Sequence, residues 1–108
     1  MKNYGKGAIY YVDADALLEP EISYFVPVLI IYDYKERVLV LLIKKEDLLE
    51  NEKYYINLKS LNKIRPKSKV SLEKIKVLEK NDLKGFVGFI SESDIKKIDK
   101  SLRLLFGI

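Results

Sequence analysis

The side chains available for chemistry are few in kind, because the 108-residue sequence contains no His, Cys, Trp, Thr or Gln. Without imidazole or thiol there is no Ser-His-Asp triad, thiol nucleophile, disulfide frame, histidine metal ligand or zinc-thiolate knuckle. Asp, Glu, Lys, Arg, Tyr, Ser and Asn remain. The densest grouping of these is a basic run, Lys59, Lys63, Arg65, Lys67, Lys69, Lys74 and Lys76, with Glu73 the only acid among them. Such a run is a candidate phosphate footprint. Arg65, next to Pro66, is one of three arginines and has the fork geometry to clamp a phosphate. Of the eight tyrosines, Tyr10, Tyr11, Tyr24, Tyr54 and Tyr55 are candidates to stack unpaired bases; half-burial in a sheet is the plainer use of the same residues.

Charge is unevenly spread. Residues 1–50 carry 6 basic and 9 acidic side chains, a balance of −3, whereas 51–108 carry 14 basic and 7 acidic, a balance of +7. A polyanion prefers the second half. Because 17 of the 20 basic residues are Lys, much of this charge also serves simply to solvate the surface.

The elements that must position these groups are mostly strands. A chain of this length has room for one core, so residues 1–108 are expected to form a single domain. Ala8–Asp13, Pro27–Tyr32, Arg37–Lys44, Tyr54–Leu58 and Leu83–Ile90 read as strands, and the acidic segment from Asp13 to Glu21 as a long loop. The polar stretch Asp33–Glu36 makes an antiparallel hairpin of the second and third. In Lys69–Leu78, Val70 and Leu72 alternate while Ile75 and Val77 resume one residue out of phase, which predicts a strand with a bulge. Gly85 and Gly88 predict a bend in the last strand. The final segment predicts a helix: Ser91 as N-cap with Asp94 at N3, a staple between Ile90 and Ile95, an apolar stripe of Ile95, Ile98, Leu102 and Leu105, and a stop at Gly107. Leu104 and Phe106 widen that stripe, for a dimer or for the core, the core being the plainer use. The longest apolar stretch, Tyr24 to Tyr32, is about half of the ~20 residues a spanning helix needs. With no secretory pattern at the start, a cytoplasmic protein is expected.

In this order of elements the chain resembles the PemK/MazF/Kid family, the toxins of type II toxin-antitoxin systems. Gly7, Ala8, Ile9, Tyr10, Tyr11, Val12 and Asp13 are similar to the family's opening G-D-x-Y/W-x-x-D; Val26, Pro27, Val28, Leu29, Ile30 and Ile31 to its x-R-P-V-L-V-I strand; and Leu72, Glu73, Lys74, Ile75 and Lys76 to its L-E-Q-I-R segment. The resemblance implies a mainly β (α+β) fold, a small SH3-like β-barrel with a C-terminal amphipathic helix. It also implies a homodimer, cleavage of single-stranded RNA as an mRNA interferase without metal or other cofactor, and an antitoxin partner that blocks the RNA groove.

The same resemblance assigns candidate site residues. Glu73, Lys74 and Lys76 match the segment that contacts RNA, and Arg65 joins them as a nucleic-acid-binding candidate. The family's chemistry is carried by an Arg before the strand proline and a Thr or Ser at the end of the following strand; these positions read Val26 and Lys44 or Lys45. Glu21, in the loop where the family carries a similar acid, is the candidate base, and Lys44 and Lys45 are candidates for the positive charge at the phosphorane. For Glu21 the plainer role is to keep a loop soluble, and for the two lysines to mark a strand's exit into solvent. The alternative function is a non-catalytic nucleic-acid or antitoxin-binding module on the same fold.

Overall fold

The computed structural model describes residues 5–17 and 25–108. Among them six strands form one antiparallel sheet: β1 (Ala8–Asp13), β2 (Phe25–Tyr34), β3 (Arg37–Lys45), β4 (Tyr55–Ile56), β5 (Ser68–Glu79) and β6 (Leu83–Phe89), in the spatial order β4-β5-β3-β2-β1-β6. Three helices join them: α1 (Ala14–Leu17), α2 (Lys59–Ile64) and α3 (Glu92–Phe106).

Strands β5 and β6 lie four places apart in the sheet, yet only the short 3-10 turn Lys80–Asp82 separates them in sequence. A connection that short forces the sheet to roll, since neighbouring strands are each about 4.8 Å apart. Asp82 accepts from the Glu79 N–H at 3.1 Å and fixes the turn. The result is barrel-like, with β4 and β6 left as edges rather than hydrogen-bonded to one another.

Strand alternation sends apolar side chains to both faces. On one face, Ala8, Tyr10, Val12, Val26, Val28, Ile30, Val38, Val40, Leu42 and Leu78 are buried together, and among the described residues Leu17 of α1 is the only buried member from outside the strands. That face is closed chiefly by the curl of the sheet. On the other, Ile9, Leu29, Leu41, Ile43, Val70 and Leu72 are covered by Leu58, Leu61 and Ile98, with Ile64, Ile95, Leu102 and Leu105 packed alongside from α2 and α3.

The β2–β3 hairpin forms as expected but longer, with both strands running to the Tyr34–Arg37 pair and only Lys35 and Glu36 turning; Lys35 adopts φ 52°. The predicted bulge in β5 falls between the pairs Leu41–Ile75 and Ile43–Val70. The glycine-bearing strand β6 shifts register twice against β1, leaving Val87 and Lys84 unpaired between Gly88, Phe86, Gly85 and Leu83.

Helix α3 begins as its sequence predicts, the Ser91 hydroxyl accepting from the Asp94 N–H at 3.2 Å, and ends at Gly107 in the left-handed region with φ 73°. Ile90 and Ile95 both lie against Gly7, which holds φ at 94°; a Cβ there would come within 2.7 Å of Ile95 Cδ1, so the Ile95 side chain would have to shift.

Three expectations need correction, and one helix was not anticipated. The acidic loop opens with the helical turn α1, its remainder lying outside the described residues. The strand at Tyr54–Leu58 shrinks to two paired residues, because β4 meets only Val70 and Ser71. Lys59–Ile64 is a helix with no side-chain cap of its own: its N-terminus is capped from α3, where the Asp94 carboxylate accepts from Ser60 N–H at 2.9 Å and from the Ser60 hydroxyl. Finally, Leu104 and Phe106 are exposed rather than in the core, as is Ile108, because they fall off the face of α3 that meets the sheet.

Candidate nucleic-acid interface

Lys44 closes the apolar run of β3 and, by alternation, shares the face of Leu42 and Val40. Val26, where the family carries Arg, lies on this face too, two residues beyond the Val28–Leu42 pair on β2. Across the next strand Lys44 is directly opposite Lys69, and Ser71 is directly opposite Tyr55 of β4. These side chains occupy one patch of sheet at the end of β3.

The bulge extends the patch. Without it, Lys74 and Lys76 would point to the helix-covered face, since both are out of phase with Lys69 and Ser71. The shift places Lys76 opposite Val40 and Leu78 opposite Val38, so Lys74, Lys76 and Leu78 lie on the self-packed face, while Ile75 and Val77 point outward and are exposed. Four lysines, 44, 69, 74 and 76, thus share one face of β3 and β5.

Lys44 is buried at 5% exposure, and its ammonium pairs with Glu52 at 2.8 Å. Glu52 is held from behind by the buried hydroxyl of Ser71, which also accepts from Glu73 N–H at 3.4 Å. The Glu73 carboxylate accepts from the backbone N–H groups of Lys53 and Tyr54, the latter at 2.8 Å, and Leu72 N–H donates to Tyr54 C=O at 2.9 Å. Two carboxylates and a β-bridge therefore pin the segment between the 3-10 turn Glu46–Leu49 and β4. Lys69 lies 3.7 Å from Glu46 and 5.1 Å from the centre of the Tyr55 ring. The part-exposed Lys69, Lys74 and Lys76 can offer ammonium groups to phosphates and Tyr55 an aromatic face to a base, while Lys44 is held by Glu52. Glu46, Glu52 and Glu73 temper the charge of the patch.

The remaining sequence candidates are placed elsewhere. Lys45 is exposed opposite Ser68, on the other face from Lys44. Arg65 follows α2 on the helix-covered side, where its Nη1 donates to the Tyr11 hydroxyl at 2.8 Å and its Nε is buried without a hydrogen-bond partner among the described residues. It is half-buried and separated by the sheet from the four lysines. Glu21 lies outside the described residues. The residues that sequence reasoning missed are Glu52 and Ser71, which no motif marks; the one available signal was Ser71 inside the phase change of β5.

The family of PemK-like, MazF-like toxins of type II toxin-antitoxin systems matches residues 5–106. The chain belongs to this family. Among solved structures 38 chains match. One is an endoribonuclease in complex with its cognate antitoxin from a mycobacterial species: TM-score 0.71, 16% identity, covering 99% of this chain and 97% of that one. Another is an endoribonuclease from a mycobacterial species: TM-score 0.70, 16% identity, covering 100% and 96%. No curated protein matches the sequence. At this identity the structural likeness establishes the PemK/MazF fold, including the C-terminal helix, and membership rests on the family match. No helix among the described residues is long and apolar enough to cross a membrane.

Proposed function

We propose that this PemK/MazF-family toxin binds single-stranded RNA across the face carrying Lys44, Lys69, Lys74 and Lys76, acting in the cytoplasm as a single-domain homodimer restrained by an antitoxin. The observation that carries this reading is the β5 bulge, which gathers onto one face lysines whose sequence spacing would scatter them. Family membership and a structural neighbour held by its cognate antitoxin support the partner. The exposed Leu104, Phe106 and Ile108 of the α3 end support self-association.

In the endoribonuclease form of this reading, the RNA 2′-oxygen attacks the adjacent phosphorus, the P–O5′ bond breaks, the 5′-oxygen leaves with a proton drawn from water, and a cyclic phosphate remains. Glu21 takes the 2′-proton, and the Lys44 ammonium stabilises the phosphorane charge. Lys45, on the opposite face, is the weaker candidate, and Arg65 is remote. A second reading is favoured by the pairing of Lys44 with Glu52 and by Val26 in place of Arg: the same face binds RNA without cutting it.

Incubation with long single-stranded RNA in chelator separates the two. Fragments ending in cyclic phosphate establish the nuclease; salt-sensitive retention of intact RNA establishes the binding module. Retention of neither kind removes the RNA reading altogether.

A further inference from the structure

Of the five tyrosines that the sequence offers for stacking, the structure leaves two in position. Tyr10 is buried with its ring edge-on to Phe86, the Tyr11 hydroxyl is taken by Arg65, and Tyr24 lies outside the described residues. Tyr54 and Tyr55 are both exposed, at 51% and 43%. Adjacent in sequence, they point to opposite faces of the sheet. Tyr55 is opposite Ser71 and so shares the face of Lys44 and Lys69, whereas Tyr54 shares the face of Ile56 and Val70, in or beside the helix-covered core.

Strand β4 is an edge, so nothing among the described residues pairs beyond it. The Lys69 ammonium lies 5.1 Å from the Tyr55 ring centre, a distance at which the cation is attracted to the ring face. The immediate neighbours of Tyr55 on this face are Lys69, Ser71 and, beyond Lys69, Lys44. That company is polar, its lysines tempered by Glu46 and Glu52, and it suits a ligand with alternating flat rings and negative charges better than an apolar protein surface.

We infer that Tyr55 and Lys69 form a base-stacking subsite, in which an unpaired RNA base lies on the Tyr55 ring and Lys69 meets the adjoining phosphate. The inference rests on the RNA-binding reading and adds to it a specific ring and a specific face. Stacking of this kind is tolerant of base identity, because every base presents a π-face.

The absence of tryptophan makes a direct test available. Tyr55→Trp and Tyr54→Trp each install a single tryptophan in the full chain, excited selectively over the remaining tyrosines and titrated with uncleavable single-stranded 2′-O-methyl RNA while retention of the RNA is followed in parallel. Quenching of the Tyr55→Trp signal, saturating with retention, is expected, with the Tyr54→Trp signal unchanged. Tyr55→Ala is expected to weaken retention about 5- to 150-fold while Tyr55→Phe preserves it, and this pair decides the matter should the tryptophan variant fail to fold by circular dichroism. RNA retained without quenching at position 55, equal quenching at both positions, or quenching by poly-glutamate but not RNA would each overturn the subsite. If wild-type protein retains no RNA, it is the broader RNA-binding reading that fails.

Discussion

The ammonium of Lys44 and the carboxylate of Glu52 form an ion pair of 2.8 Å whose side chains are only 4% and 11% exposed. It sits where an apolar strand ends, and its carboxylate is backed by the Ser71 hydroxyl, so both partners are taken from water and both are satisfied. A buried pair of this kind gives little net stability over an apolar equivalent, because desolvation offsets the Coulomb attraction; breaking it leaves a lone charge and is costly.

Lys44→Met and Glu52→Leu, made singly, are therefore expected to lower unfolding free energy by about 3–5 kcal/mol, and Lys44→Met/Glu52→Leu to recover most of that loss. Urea unfolding of the three variants checks it. Independent, additive losses in the double variant would show that the charges do not depend on one another.

Replacing lysines on the shared face tests the electrostatic footprint. Lys74→Met and Lys76→Met should each flatten the dependence of log K on log salt for single-stranded RNA by about 0.7. Arg65→Met, on the far side of the sheet, should leave that slope unchanged. A slope that responds to Arg65 and ignores both lysines would place the RNA on the wrong face.

The Asp94 carboxylate ties the starts of α2 and α3 through Ser60, and the Ser60 hydroxyl in turn accepts from Ser91 N–H at 3.0 Å. Asp94→Ala should cost about 1.5–3 kcal/mol, as loss of hydrogen bonds to a charged group, against about 1 kcal/mol for Ser91→Ala, which removes a single cap. Equal effects in chemical denaturation would mean that Asp94 acts only within its own helix.

Gly7 holds a positive φ with Ile95 in the space of a side chain. Gly7→Ala is expected to destabilise the fold by about 1–3 kcal/mol, through backbone strain and displacement of Ile95. A thermal midpoint unchanged from wild type would show that the β1–α3 junction adjusts freely.

Leu104 and Phe106 are exposed at 73% and 57%. Charging them, as Leu104→Glu/Phe106→Glu, should leave monomer stability within about 0.5 kcal/mol, as expected for surface positions. Under the proposed homodimer it should shift sedimentation from dimer to monomer. A variant that remains dimeric would remove the α3 end from the interface.

The contrast between these residues and the apolar stripe beside them shows how far the sequence could be read. The strand formers of Ala8–Asp13, the polar turn before Arg37, the phase change between Leu72 and Ile75, and the Ser91 cap with Gly107 as stop are local signals, because each is written in the side-chain period or backbone preference of the element itself. They were enough for a strand-rich chain with one antiparallel hairpin and a terminal helix; the barrel was what the family resemblance implied. Helix α2 escaped because its cap is Asp94, 34 residues from Ser60. The partner of Lys44, the isolation of Arg65 from the lysines, the exposure of Phe106 and the face given to Tyr55 depend on strand register and helix placement. Those were decided only when the whole chain packed, since a single residue of slip exchanges the two faces of a strand while leaving its composition untouched.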